Sequence, residues 1–281
     1  MSRRPIRLAL AIVLAAGGLS QAQEPPLPDA RAFLAESLKK LRSNDLVRSQ
    51  YTYVERETRY RRGEDGSMQV TRVRIFEVTP SPEPELTYRR LVSENDVRPA
   101  DLAERDAEQR KKEREWLARR ELEGLDARQA RQRKLEIEER KEQAVVEELP
   151  SIFDIRLTGR ELIDGRAAIV YTFTPCPGYA PRTPEGRILN HFRGQAWIDE
   201  QDRELARLKV DCLDSVSVKW GFIFRLLKGS RGHVERRKLD GGDWLPTYSR
   251  FTGSGRLLLV RRIDLDEENE YFDYRKRDPG Q

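Results

Sequence analysis

The chain has 281 residues, of which 36% are charged and 37% are hydrophobic, and its formal net charge is +5. This apolar share is below that of an ordinary globular domain. The apolar residues are unevenly placed, so one part of the chain still has enough of them to build a core. The composition therefore excludes a wholly disordered chain.

Residues 1–22 have the pattern of a secretory signal peptide. Three arginines precede the apolar run Leu8–Leu19, and small residues precede a cleavage point after Ala22. The apolar run is too short to span a bilayer, which needs about 20 such residues. We expect cleavage and export to the periplasm or the extracellular space, with no transmembrane segment remaining. The alternative is an uncleaved anchor.

Removal of this segment lowers the net charge of the chain. Lys and Arg fall from 53 to 50 while Asp and Glu stay at 48, so the net charge of the mature chain is +2. A strongly basic surface, which nucleic-acid binding would need, is then not indicated by the composition. We predict no nucleic-acid partner.

Residues 23–100 predict a helix followed by the first strands of a β-domain. Asp29 is a suitable N-cap, and apolar residues recur after it at every third or fourth position. The segments 49–61 and 68–79 are rich in strand-forming residues and are separated by turn residues, which predicts a hairpin. A third strand is predicted over 86–93.

Residues 101–148 form a charged segment of a different character. It holds 13 basic and 15 acidic residues and no proline. Acid-to-base pairs four residues apart, such as Asp101 with Arg105, favour helix by a few tenths of a kcal/mol each. We predict one long helix, or two that meet near Gly124. The segment is either a solvated insertion or an arm that docks a partner protein.

Residues 149–281 predict an antiparallel meander that completes the same domain. Nine segments with strand character follow one another, separated by turn residues at intervals of roughly 8–12 positions. Asp164-Gly165 is typical of a two-residue hairpin turn. A longer loop is predicted over 176–192.

Two of these predicted strands are apolar on one face only. Every second residue of Ala206–Cys212 is apolar, and the segment 215–227, taken as one strand, repeats the pattern. Such a face needs a cover of helices, of another sheet or of a ligand. Either these side chains fill a core or they line a cavity for a guest. The predicted cavity residues are Leu208, Val210, Val216, Val218, Trp220, Phe222, Phe224 and Leu226.

The sequence has no motif of a known catalytic or metal site. His191 and His233 stand apart from any cluster at metal-ligand spacing. Nucleophile elbows, phosphate loops and dinucleotide fingerprints do not occur. We therefore predict a protein that is not an enzyme and that uses neither a cofactor nor a metal.

The two cysteines suit an oxidising compartment. In the predicted meander Cys176 and Cys212 lie at the same sheet edge with one strand between them, about 10 Å apart. A bridge needs Cα atoms within about 7 Å, and Cys176 begins a loop that could bring it closer. We predict a disulfide. The alternative is a buried thiol at Cys212 and an exposed one at Cys176.

Short motifs around the predicted turns indicate a family resemblance. They are Leu157–Glu161, Ile163–Arg166, Gly194–Asp199, Arg207–Leu208 and Trp244–Pro246. Together with the order of helix, early strands, insertion and meander, they resemble the periplasmic outer-membrane lipoprotein-sorting proteins, the LolA/LolB-like superfamily.

The resemblance implies an α+β, mostly antiparallel fold: a curved, unclosed β-barrel covered by helices, with an apolar cavity for acyl chains. The charged segment 101–148 has no counterpart in the family's pattern. We expect a carrier or sensor for the acyl chains of a lipid or lipoprotein. The alternative is an envelope scaffold that docks a partner protein through residues 101–148.

Overall fold

The computed structural model describes residues 25–40, 47–63, 65, 67–81, 86–219, 223–257 and 261–277. The predicted signal peptide lies outside these residues. Within them, no helix has the length and apolar character needed to cross a membrane.

Four helices are defined in the described residues. At the start of the first helix the Ala32 amide donates to the Asp29 carboxylate at 2.8 Å, which confirms the predicted N-cap. The charged segment forms two helices that meet at Gly124, the predicted break. The helices are α1 (Ala30–Lys40), α2 (Leu102–Glu121), α3 (Leu125–Ile152) and α4 (Pro184–Leu189).

Twelve strands of the described chain form one antiparallel sheet. They are β1 (Tyr51–Arg62), β2 (Met68–Thr79), β3 (Tyr88–Glu94), β4 (Phe153–Ile163), β5 (Arg166–Pro175), β6 (Phe192–Asp199), β7 (Leu205–Cys212), β8 (Val216–Lys219), β9 (Ile223–Leu226), β10 (Arg231–Lys238), β11 (Trp244–Leu257) and β12 (Arg261–Lys276). The order is β3-β2-β1-β12-β11-β10-β7-β6-β5-β4, with the pair β8–β9 attached to β11. Since β3 and β4 end this path at opposite edges, the sheet is open and curved, as the resemblance implied.

The segment 215–227 is not the single strand that its alternation predicted. It forms two short strands, β8 and β9, which pair antiparallel with each other so that Val216 lies opposite Leu226. The chain therefore reverses between Lys219 and Ile223. Alternation over an apolar run cannot reveal such a reversal, because directly opposed residues of a hairpin lie on the same face and preserve the pattern.

The two faces of β4–β7 carry separate groups of buried side chains. On one face Phe33 of α1 packs with Ile169 and Tyr171, and we call this the cavity face. On the other, the outer face, Trp197 and Trp244 pack with aliphatic residues, among them Ile163. Strand alternation produces this division, because neighbouring residues of a strand point to opposite sides.

An ion pair with a buried carboxylate fixes the turns at one end of the sheet. Arg166 donates to both oxygens of the Asp199 carboxylate, at 2.7 and 2.8 Å. The Asp199 carboxylate also accepts from the backbone amides of Gln201 and Asp202. Asp199 is only 1% exposed, and these bonds compensate for its burial. These residues of the family-like motifs therefore hold β5 and β6 in register.

Helix α2 is attached to the sheet at its first turns. The Asp106 carboxylate accepts hydrogen bonds from the Tyr88 hydroxyl at 2.8 Å and from the Arg90 guanidinium at 2.9 Å. Both of these contacts lower the Asp106 pKa to about 2, the arginine contributing more than the tyrosine. Beyond this attachment α2 and the first part of α3 are largely exposed, and we call residues 107–147 the helical arm.

Candidate ligand-binding site

An apolar cavity of about 450 Å³ lies between the sheet and three of the helices. Leu34 and Leu38 of α1, Leu149 of α3 and Leu189 of α4 line its helical side. Close-packed cores leave few voids larger than a water molecule, so a space of this size is not an ordinary packing defect. Its volume lies in the range of small-molecule sites.

Much of the sheet side of the cavity is built from residues that pair across three strands, β5, β6 and β7. Leu208 of β7 lies opposite Ala196 of β6, which lies opposite Tyr171 of β5. In the next row Val210 lies opposite Gly194, which lies opposite Phe173. Because directly paired residues share a face, the apolar members of each row form one continuous wall.

Gly194 is required at the centre of this wall. A Cβ atom there would lie 2.0 Å from the Lys209 carbonyl oxygen and 2.7 Å from the Phe173 ring. The absent side chain allows the close approach of β7 and leaves space for the Phe173 ring.

The polar groups of the lining are satisfied within the protein. The Ser37 hydroxyl donates to the Phe33 carbonyl of its own helix at 2.9 Å. The Tyr171 hydroxyl donates to the Ala30 carbonyl at 2.8 Å, and burial raises its pKa to about 12. The cavity thus presents mainly carbon to a guest, and apolar cavities of this kind do not hold water well.

A register shift decides which residues of β7 face the cavity. The pairing of β6 with β7 slips between Trp197 and Ile198, so that Ile198 lies opposite Leu205. Leu205 therefore packs on the cavity face, whereas Ala206 joins the tryptophans of the outer face. The simple alternation predicted the opposite assignment for Ala206, because it cannot include a bulge.

The predicted cavity residues fall into three groups. Leu208 and Val210 line the cavity. Val216 and Leu226 are buried beside Cys212, in a cluster that shares Phe192 with the cavity lining. The third group lies outside the part of the structure in which side chains are described: Val218, Trp220, Phe222 and Phe224.

Most of the lining was not predicted from the sequence. The signal was present in β4 and β5, where Phe153 and Ile155, and likewise Tyr171 and Phe173, occupy alternate positions. Both faces of β5 are apolar, however, and a run that is apolar throughout does not show which side faces the cavity. The leucines of the cover come from three separate helices, which only the folded chain brings together.

Glu148, near the end of α3, fixes the loop that covers the cavity. It is 1% exposed. Its carboxylate accepts from the Thr183 hydroxyl at 2.6 Å, the Arg182 amide at 2.5 Å and the Tyr179 hydroxyl at 3.0 Å. These hydrogen bonds, that of Thr183 first, lower the Glu148 pKa to about 2 despite its burial. The loop in turn places α4 and Leu189 over the cavity.

The predicted disulfide is not formed, and both cysteines are free thiols. Strand β6 separates the two strands that carry them. The Cys176 amide is held by the Ile152 carbonyl at 2.8 Å, which keeps the start of the loop beside β4. The Cys212 thiol donates to the Asp214 carbonyl at 2.9 Å, and burial raises its pKa.

No group of three His, Cys, Asp or Glu side chains is arranged to hold a metal ion in the described residues. His191 lies 3.7 Å from Asp214, and His233 lies 3.1 Å from Glu235. Each histidine thus has its own acidic neighbour. His191 lies directly before β6, whereas His233 lies within β10.

No family model matches the chain, and no curated protein matches it. Several solved structures are similar to it. A DUF1329 family protein from Desulfovibrio piger is 13% identical, with a TM-score of 0.28 over 89% of this chain and 94% of that one. A LolA superfamily protein from Nitrosomonas europaea is 8% identical, with a TM-score of 0.29 over 90% and 95%. A putative outer membrane lipoprotein-sorting protein domain from Vibrio parahaemolyticus is 7% identical, with a TM-score of 0.29 over 88% and 95%.

Proposed function

We propose that this protein is an exported, non-enzymatic carrier or sensor that holds the acyl chains of a lipid or lipoprotein in the apolar cavity. The observation that carries the proposal is the cavity of about 450 Å³, whose Ser37 and Tyr171 hydroxyls are both satisfied internally. A guest without hydrogen-bonding groups suits such a lining, because a polar guest would lose its bonds to water there.

The hydrophobic effect favours the binding of such a guest. Each buried methylene contributes about 0.8 kcal/mol, so about ten methylenes contribute on the order of 8 kcal/mol before the costs of association. Binding of this kind needs no covalent chemistry and no cofactor. Leu208 and Val210, which were predicted for this role, would act as bulk apolar contacts.

The proposal is tested by filling the cavity from its wall. Ala196→Trp places an indole on the cavity face, where it competes with the guest for space. Gln195→Trp is the matched control, since Gln195 is exposed on the outer face of the same strand. We expect the first variant to bind a fluorescent fatty acid at least about tenfold more weakly than the second.

Both variants should keep the circular dichroism spectrum of the parent chain, which shows that the sheet is intact. Equal affinity of the folded Ala196→Trp and Gln195→Trp variants for the fatty acid would contradict the proposal.

A second candidate function is an envelope scaffold that docks a partner protein through the helical arm. The specific observation is the exposure of apolar side chains around the junction of α2 and α3, where Leu122 is 87% and Leu125 is 76% exposed. Large side chains exposed together at one place are typical of interaction surfaces.

A further inference from the structure

The cavity face continues beyond the cavity towards the other edge of the sheet. From Leu208 of β7 the paired residues pass to β10, β11, β12 and β1. Since cross-strand partners share a face, these residues extend the cavity face beyond the wall, and we call this extension the floor. In order they are Leu208, Val234, Ser249, Asn269 and Glu57.

This floor changes from apolar to polar along its length. Val234 is followed by the Ser249 hydroxyl, the Asn269 amide and the Glu57 carboxylate. A parallel row runs from Val210 through Gly232 and Phe251. The glycine has no side chain to obstruct the floor beside the cavity. An amphiphile lying on this face would meet carbon at one end and charge at the other.

The polar end carries a cluster of arginines above two carboxylates on β1. The Glu57 side chain is only 4% exposed and the Glu55 side chain 10%. Arg59 lies 3.2 Å from Glu57, and Arg89 lies 2.9 Å from Glu55. The guanidiniums are more exposed than the acids they pair with. Their exposed fractions are 37% for Arg59, 30% for Arg72, 21% for Arg74 and 44% for Arg89.

The carboxylates therefore lie beneath a cationic surface. Glu267 also pairs with Arg59, at 2.8 Å, and Glu94 lies opposite Arg74 on the neighbouring strand. The buried carboxylates of Glu55 and Glu57 neutralise arginine charge from the side of the sheet. The solvent-facing edges of the guanidiniums are accessible to a ligand. Guanidinium groups bind carboxylate and phosphate oxygens with paired hydrogen bonds.

Arg72 is the least satisfied member of this cluster. Its nearest approach to Glu57 is 3.9 Å, beyond hydrogen-bonding distance. Its Nε atom is buried and has no hydrogen-bond partner among the described residues. An unpaired buried donor is costly, and an anion placed here would supply its missing partner.

We propose that this arginine cluster, with Arg72 as its principal donor, binds the anionic head group of an amphiphile whose acyl chain lies in the cavity. The inference rests on the proposed function and specifies its ligand: an acyl chain that ends in a carboxylate or phosphate. Four strand steps separate Leu208 from Glu57, about 19 Å measured along the sheet. A long-chain amphiphile lies in the cavity and reaches towards the arginines across this floor.

The test compares two probes with the same chain, palmitic acid and hexadecanol, on the full mature protein at neutral pH. Both are used as competitors of a bound fluorescent fatty acid, below the concentrations at which they aggregate. We expect palmitic acid to compete about tenfold more strongly than hexadecanol.

The variant Arg72→Met keeps most of the side-chain volume and removes the charge. We expect it to reduce the preference for the acid to less than about threefold while leaving the affinity for hexadecanol unchanged. The matched control is Arg56→Met, which removes an arginine from the outer face of β1, where Arg56 pairs with Glu270 at 3.5 Å. The control should keep the full preference.

The outcomes separate the two proposals. Equal competition by acid and alcohol in the parent chain would overturn the head-group site while leaving the acyl-chain cavity in place. Equal loss of preference in the Arg72 and Arg56 variants would overturn it as well. Competition by neither probe would overturn both proposals. The comparison in the parent chain stands even if Arg72→Met does not fold.

Two sources could supply the anion, and further competitors distinguish them. If anionic phosphatidylglycerol competes more strongly than zwitterionic phosphatidylcholine and at least as strongly as palmitic acid, the head group is a phosphate that keeps its net negative charge. If both phospholipids are weak competitors beside palmitic acid, the head group is a carboxylate. Either result supports the arginine cluster as the site.

Discussion

At the scale of single residues, Glu148 connects the helical arm with the cavity. It stands near the end of α3, and its carboxylate holds the loop that carries α4 over the cavity. An acidic residue in a strongly charged helix usually faces water. Because residues 101–148 hold fifteen acidic residues, nothing in the sequence distinguishes Glu148 from the others. Only the folded chain shows that it is buried against backbone amides.

The lowered pKa of Glu148 predicts a pH dependence of stability. Its ionised form is bound more tightly in the folded chain, so its contribution is complete above the ordinary pKa of 4.5 and is lost as the pH falls towards about 2. Glu148→Gln should therefore lower the unfolding midpoint at neutral pH, with a smaller difference from the parent chain near pH 2. Glu142→Gln, on the exposed surface of α3, is the control. Thermal unfolding across this pH range checks the prediction, and parallel curves for Glu148→Gln and the parent chain would refute it.

At the scale of elements, local signals predicted most helices and strands. The Asp29 cap, the Gly124 break and the Asp164-Gly165 turn all occur as predicted, and both turn residues have positive φ, 50° and 77°. These features are encoded within a few neighbouring residues. The reversal inside 215–227 and the bulge opposite Ile198 depend on pairing with distant strands, and the sequence did not reveal them.

The helical arm exposes Leu122 and Leu125 at the junction of its two helices. If it docks a partner protein, Leu122→Ser with Leu125→Ser should abolish crosslinking of the arm to that partner in the cell while leaving bound lipid unchanged. Leu162→Ser is a suitable control, since Leu162 is 75% exposed on β4. Unchanged crosslinking in the double variant would exclude the arm junction as the docking surface.

At the scale of the whole molecule, one face of the sheet carries an apolar cavity in one half and a charged cluster in the other. Strands β4–β7 and helices α1, α3 and α4 line the apolar cavity, and β1–β3 carry most of the charged cluster on the same face. The sequence indicated an apolar face with Leu208 and Val210 on it. It could not indicate the cavity volume, the leucine cover or the arginine cluster, because these depend on how the strand order places distant segments side by side.

The most direct measurement of the central claim is native mass spectrometry of the protein purified from the cells that produce it, followed by extraction of lipids. The account predicts a reproducible bound mass that is released on denaturation and has acyl-chain chemistry. A clean unliganded mass that does not change when lipids are added would contradict it, and would mean that the cavity is not a binding site for acyl chains.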